Sequence, residues 1–199
     1  MITFKNIQNE EPLVNFHRIY RDAEANHQKN IEAMCISSYS NEDQLVDSRY
    51  VNLKYIDGLN WTFYSNYQSP KSKQFVSHNQ VSVIFYWNTI DTQIRLRAHI
   101  KKSPTYESDE HFRIRSKEKK ALAVSSSQSE IIRSYDEVIA NYKKVLDDDE
   151  LLKKRPKYWG GYTFSPFYFE FWKGHESRLN QRKVYLYENG KWKTSCLQP

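Results

Sequence analysis

The stretch "FWKGHESRLNQR", residues 171–182, sets two large rings and a glycine ahead of two arginines. A hydrophobic core uses the rings but not the arginines, and a solvated face uses the reverse. A flat, anionic ligand uses both. Rings stack on its plane, and guanidinium groups make charge-assisted hydrogen bonds to a phosphate or carboxylate. Basic and aromatic residues also interleave in "SRYVNLK" (48–54) and near the "QIRLR" of residues 93–97. Either a flavin or a single-stranded nucleic acid fits residue types of this kind. The familiar phosphate loops are absent: the chain contains no GxGxxG and no GxxxxGK[ST], so side chains and single N–H groups must hold any phosphate. It also lacks a GxSxG elbow and an HExxH pair. Cys35 and Cys196 stand alone, outside any metal-ligand spacing, so no metal is expected and a reduced, cytoplasmic protein is the simplest reading.

The elements that must position these residues are mostly short strands. The chain has 199 residues, a net charge of +6 and 15% aromatics, enough for one domain with an aromatic-rich core. The positive charge favours anionic partners, although the longest basic run is only "KEKK" (117–120). No apolar run is long enough to span a membrane, and the first residues do not read as a secretory signal. Residues 11–26 predict a helix, with Leu13, Phe16, Tyr20 and Ala23 on one stripe. Strands follow at 31–38, 48–56, 61–67, 81–87 and 92–102, with a short helix starting near Pro70. In the last of these strands Ile94, Leu96, Ala98 and Ile100 should point inward, and Gln93, Arg95, Arg97 and His99 outward. Residues 105–121 read as one polar helix. Residues 134–146 read as a second helix, with Ser134 and Glu137 as a capping box and Val138, Ile139, Tyr142 and Val145 as a buried stripe. A charged linker (147–156) leads to strands at 167–172, 182–188 and 191–196, the last two joined by a turn at Asn189-Gly190. Strands so spaced suggest an antiparallel barrel or sandwich, not a Rossmann fold.

Taken in order, "SRYVNLK", "FYSNYQSPKSKQ", "FYWNTIDTQIR", "SSSQS", "YWGGY", "FWKG" and "RLNQR" resemble the pyridoxamine (pyridoxine) 5'-phosphate oxidase family over roughly residues 10–199. The resemblance implies a mainly β, Greek-key split barrel with flanking helices, working as a homodimer with FMN in clefts between subunits. It further implies that Arg49, Lys54, Tyr64, Ser65 and Lys71 contact FMN. Gln93, Trp172 and Arg182 are expected to help hold it, with Gln128 and Ser129 reaching it from the other side. Arg178 and Asn180 occupy the expected catalytic positions facing the substrate. Lys54, His111, Arg115 and Lys119 fall where the family binds the substrate phosphate. The implied reaction turns pyridoxine or pyridoxamine 5'-phosphate into pyridoxal 5'-phosphate with oxygen, and no nucleic acid or membrane partner is implied.

The substrate side departs from the family pattern. His111 stands at a Tyr position, Lys119 at a Ser position and Asn180 at the His of the family's "RLHDR". Pro70 replaces an arginine beside Lys71, and the basic segment before the first helix has no clear counterpart. These departures keep two alternatives open: a diverged flavoenzyme acting on another small anionic substrate, as in the phenazine pathway, or a non-catalytic binder of FMN or pyridoxal phosphate.

Overall fold

The computed structural model describes residues 1–7 and 9–199. Six strands close into a ring: β2 (Ala33–Tyr39), β3 (Val46–Asp57), β4 (Asn60–Asn66), β5 (Gln80–Trp87), β6 (Thr92–Lys102) and β7 (Trp159–Lys173). Going round, β3 pairs β2, β2 pairs β5, β5 pairs β6, β6 pairs β7, β7 pairs β4, and β4 returns to β3, every pair antiparallel. Strands β2, β3 and β4 run consecutively, and β5 comes back to lie beside β2, which is the Greek-key order. β1 (Thr3–Lys5) adds to β3 in parallel, while β8 (Gln181–Glu188) and β9 (Lys191–Leu197) extend the sheet outward from β7.

The interior is aromatic, as the composition suggests. Helix α1 (Glu11–Ala25) lays Phe16 against Trp61 and Phe85, with ring centroids 4.5 and 5.5 Å apart. Edge-to-face contacts of this kind add about 0.5–1.5 kcal/mol each beyond the area buried. The alternation read in β6 holds: Ile94, Leu96, Ala98 and Ile100 are buried, and their neighbours Gln93, Arg95, Arg97 and His99 face outward. Asn189 and Gly190 both have positive φ, 52° and 81°, the pairing that a tight hairpin between β8 and β9 requires.

Four readings need correction. β7 begins at Trp159, eight residues earlier than expected at 167, and takes in the Gly pair and Pro166. The register against β6 shifts between Arg97 and Ala98, opposite Tyr168 and Pro166, and this bulge lets the proline sit in a strand. Residues 105–121 form two helices, α3 (Thr105–Ile114) and α4 (Lys117–Ser125). Arg115 is extended, and Ser116 caps α4 by accepting from the Lys119 N–H. In α5 (Tyr135–Leu146) the Ser134 side chain makes no cap bond and no residue is buried, so the expected stripe of Val138, Ile139, Tyr142 and Val145 is at most half-covered within one chain. The 147–156 segment is more than a charged linker: Leu152 is buried, and Arg155 pairs with Asp109 at 2.7 Å while donating to the Trp159 carbonyl at 2.5 Å.

Candidate active site

A cleft of about 570 Å3 opens between β3, β4, the start of helix α2 (Pro70–Ser77) and the α3–α4 region. Volumes in this range suit a small-molecule or cofactor site, roughly 300–1,000 Å3. Arg49, Lys54, Tyr64, Ser65, Lys71, His111, Arg115, Gln128 and Ser129 all line it. One cleft thus gathers most of the residues singled out in the sequence.

Its cations fall into two groups. Arg49 and Lys54 are five residues apart on β3, roughly 16 Å at strand spacing. Near the first, Arg49 donates to Ser38 Oγ at 2.6 Å and to Gln74 Oε1 at 3.0 Å, which aims the guanidinium beside the first turn of α2. There Pro70 opens the helix and Lys71 is only 7% exposed. The Lys71 ammonium donates to Ser69 Oγ at 3.2 Å, and among the described residues no carboxylate pairs with it. Burial and then the charge of Arg49 push its pKa down to about 8. A buried ammonium without a counter-charge is costly, and an incoming anion relieves that cost.

The second group surrounds His111. Lys54 has only a long contact to Glu32, 3.8 Å. Arg115 lies over the Trp159 ring at 4.5 Å, and its buried Nε has no hydrogen-bond partner among the described residues. His111 stacks on Tyr64, centroids 3.7 Å apart and planes 10° from parallel, and shares a 2.8 Å hydrogen bond with Tyr55 Oη through Nδ1. Burial first, then Arg115, Lys54 and Lys119, lower its pKa to about 4, so the imidazole is neutral. Lys119 itself does not line the cleft as expected; its side chain is exposed, and its carbonyl accepts from Arg115 Nη2 at 2.7 Å.

Gln128 and Ser129 were expected to approach from the other side. Within one chain they lie on the same cleft, because Gln128 Oε1 accepts from Ser65 Oγ at 3.2 Å and from the Asn66 N–H at 3.3 Å.

The remaining expected residues do not join this cleft. Gln93, Trp172 and Arg182 sit side by side across β6, β7 and β8 on the outer face of the sheet. Arg182 donates through Nε to Glu170 Oε1 at 2.9 Å and through Nη1 to the Gln198 carbonyl at 3.0 Å. Arg178 and Asn180 follow in the loop before β8. Arg178 holds a positive φ of 59°, and Asn180 Oδ1 accepts from the His175 N–H at 3.1 Å.

The sequence reading missed Glu170. This carboxylate is 2% exposed and binds Arg95, Arg182 and the Tyr168 hydroxyl at once. A lone acid among the five aromatics of "FYFEFW" was the available signal. Tyr55, Ser38 and Gln74, which orient His111 and Arg49, carried none. The "WGG" motif proves to be a packing element: a Cβ on Gly160 would lie 2.2 Å from Tyr67 Oη, and one on Gly161 would lie 2.5 Å from Ser103 Oγ. Among the described residues no cluster of three metal-ligating side chains occurs, and no helix is long and apolar enough to cross a membrane.

A family model described as pyridoxamine 5'-phosphate oxidase matches residues 22–159, and one described as the pyridoxine 5'-phosphate oxidase C-terminal dimerisation region matches residues 159–199. The chain belongs to the pyridoxine/pyridoxamine 5'-phosphate oxidase family. Among its relatives, the pyridoxine/pyridoxamine 5'-phosphate oxidase of Janthinobacterium sp. (strain Marseille) is 30% identical, covering 95% of this chain and 90% of the relative. The enzyme of the same name from Pseudomonas putida (strain GB-1) is 31% identical over 95% and 89%. In fold, the chain matches the crystal structure of PhzG from Burkholderia lata 383, in complex with tetrahydrophenazine-1-carboxylic acid. That match has a TM-score of 0.89 at 24% identity and covers 96% of this chain and 93% of the other. A pyridoxamine 5'-phosphate oxidase-related, FMN-binding protein from Nostoc punctiforme PCC 73102 matches with a TM-score of 0.76 at 9% identity, covering 92% and 96%. The barrel with flanking helices is thus the split barrel of this family.

Proposed function

We propose that this family member is an FMN-dependent oxidase of phosphorylated B6 vitamers. Pyridoxine 5'-phosphate and oxygen give pyridoxal 5'-phosphate and hydrogen peroxide; pyridoxamine 5'-phosphate additionally consumes water and releases ammonia. The observation that carries the reading is Lys71, a buried cation with no carboxylate partner among the described residues, placed beside Arg49 in a cleft of cofactor size. The residues present suit FMN. Arg49 and Lys71 would hold its phosphate, and Tyr64, Ser65, Gln128 and Ser129 would border the rest. When bound, FMN supplies the two-electron acceptor that oxygen re-oxidises to give the peroxide. Lys54 and Arg115 would hold the substrate phosphate at the far end of the cleft.

The working unit on this reading is a homodimer. The C-terminal match is to a dimerisation region, and Tyr50, Ile131 and Tyr135 are 78, 102 and 74% exposed. Gln93, Trp172, Arg178, Asn180 and Arg182 of one subunit would then complete the cleft of the other, as a two-fold interface allows. The positive φ at Arg178 fits a side chain held out from a constrained loop. Such a protein would work in the cytoplasm.

A second reading rests on the substrate end. His111, Lys119 and Asn180 all depart from the family pattern there, and Asn cannot serve as a base near neutral pH. These changes favour a different small anionic substrate for the same flavin site, while a binder of FMN without turnover shares the cleft but not the chemistry.

The test is direct. The purified protein is titrated with FMN, then supplied with each B6 phosphate under air while pyridoxal phosphate is followed. Product formation is the expected result. An FMN complex that neither makes product nor bleaches with either substrate without oxygen moves the assignment to the second reading or to a binder. Failure to bind FMN removes both flavoenzyme readings and leaves only a binder of pyridoxal phosphate.

A further inference from the structure

We propose that His111 determines the ligand charge accepted at the Lys54–Arg115 end of the cleft, by taking up a proton as a dianionic phosphate or sulfate group enters. This rests on the reading of that end as the anion site, and it concerns a residue at which this chain differs from the family pattern.

The geometry suits a neutral imidazole that becomes charged. Its Nδ1 is tied to Tyr55 Oη at 2.8 Å. A hydroxyl donates or accepts equally well, so this bond survives when Nδ1 gains a proton. The ring lies on Tyr64, with Trp159 nearly parallel at 6.2 Å, and the faces of aromatic rings stabilise a cation. The groups facing it are Lys54 and Tyr55 from β3, Tyr64 from β4, Arg115 after α3 and Lys119 from α4. On its own helix, Glu110 is taken by Arg113 at 3.0 Å. Glu107 lines a neighbouring groove that His111 also borders, which gives the imidazole a path to solvent protons. Among the described residues no carboxylate pairs with His111.

Burial and three nearby cations keep the free imidazole neutral, with a pKa of about 4. An anion seated between Lys54 and Arg115 offsets those cations and attracts a third. An opposite charge within a few ångströms raises a pKa by about 1–3 units. The sign follows: protons are taken up on binding at pH values between the free and bound pKa, so affinity strengthens as pH falls through that window. A monoanion offsets less charge and gains less, so the site would discriminate by ligand charge.

Sulfate is the probe, because it carries no proton that titrates near neutral pH. Calorimetry on the protein, with and without saturating FMN, in two buffers of different ionisation heat, reads protons bound per sulfate. The expected result is an affinity about tenfold higher at pH 5 than at pH 7, for a two-unit rise, with about 0.8 of a proton taken up at the lower pH. His111→Phe should bind sulfate without uptake. His111→Tyr, the family residue, should do the same and guards against misfolding of the first variant. Wild-type binding that ignores pH, or uptake as large in both variants as in the wild type, overturns the proposal; any protons gained at Lys71 are common to all three proteins and cancel in the difference. The sulfate measurement made without FMN stands whether or not the protein proves to be an oxidase, so the two readings fail separately.

Discussion

The cleft and the outer face of β6–β8 handle positive charge in opposite ways. In the cleft, Lys71 and Arg115 have no acid partner among the described residues, and Arg49 and Lys54 reach theirs only at 3.7 and 3.8 Å. On the outer face, Arg95 and Arg182 both close on Glu170, at 3.0 and 2.8 Å. The first arrangement stores unmet attraction for something outside the chain. The second is already satisfied, and its energy goes into fixing side-chain direction. A cation's value to a binding site therefore depends on what else it touches, which its residue type does not reveal.

The largest expected effect comes from breaking the satisfied half. Glu170→Ala leaves two partly solvated guanidinium groups and a tyrosine hydroxyl without their shared acceptor, and should destabilise the fold by about 1.5–3 kcal/mol. Denaturant unfolding measures this, and a loss below about 1 kcal/mol would mean that the arginines find other partners. The unmet half should respond the other way. Lys71→Met removes a buried, unpaired charge, so stability should hold or rise while FMN affinity falls, by about 1.5–3 kcal/mol for a charged hydrogen bond. Fluorescence titration alongside thermal melting separates the two readouts.

The pH dependence sharpens the same contrast. Lys71 has a folded pKa of about 8, below its ordinary value of 10.5. Between these two values the unfolded chain binds more protons, so the contribution of Lys71 to stability increases as pH rises through that window. The difference between the wild-type and Lys71→Met melting curves should show this, and saturating FMN should flatten it. The smallest effect is at the helix caps. Ser116→Ala loses a real cap and should cost about 0.5–1 kcal/mol, whereas Ser134→Ala, with no cap bond to lose, should stay within about 0.5 kcal/mol.

Where a period decides structure, the sequence was legible. β6 alternates strictly, and its buried face came out residue by residue. The helix at 11–26 and the Asn189-Gly190 turn followed from spacing and from backbone preference. β7 was misread because Gly160, Gly161 and Pro166 look like strand breakers. The glycines are there because Tyr67 and Ser103 press on the backbone, and a bulge admits the proline; both facts are tertiary. The stripe on α5 is real as a pattern but stays half-open in one chain. In the candidate site, the motifs identified the residues but not their grouping. Nothing in the order of Arg49, Lys71 and Arg182 tells that the first two share a cleft and the third faces away with Glu170.

The closed ring of six strands has a consequence for how a guest arrives. Its backbone bonds run edge to edge without a gap, so the wall cannot part to admit a ligand. Helix α3 packs on β7 from outside, α5 lies against α4, and α5 buries none of its residues. Loading should therefore go by way of the open cleft outside the ring, between β3, β4 and the α3–α4 region. Deuterium should enter the amides of α5 well before those of β5 and β6, and a tightly held guest should slow exchange at the cleft-lining residues 122–129 while leaving the ring unchanged.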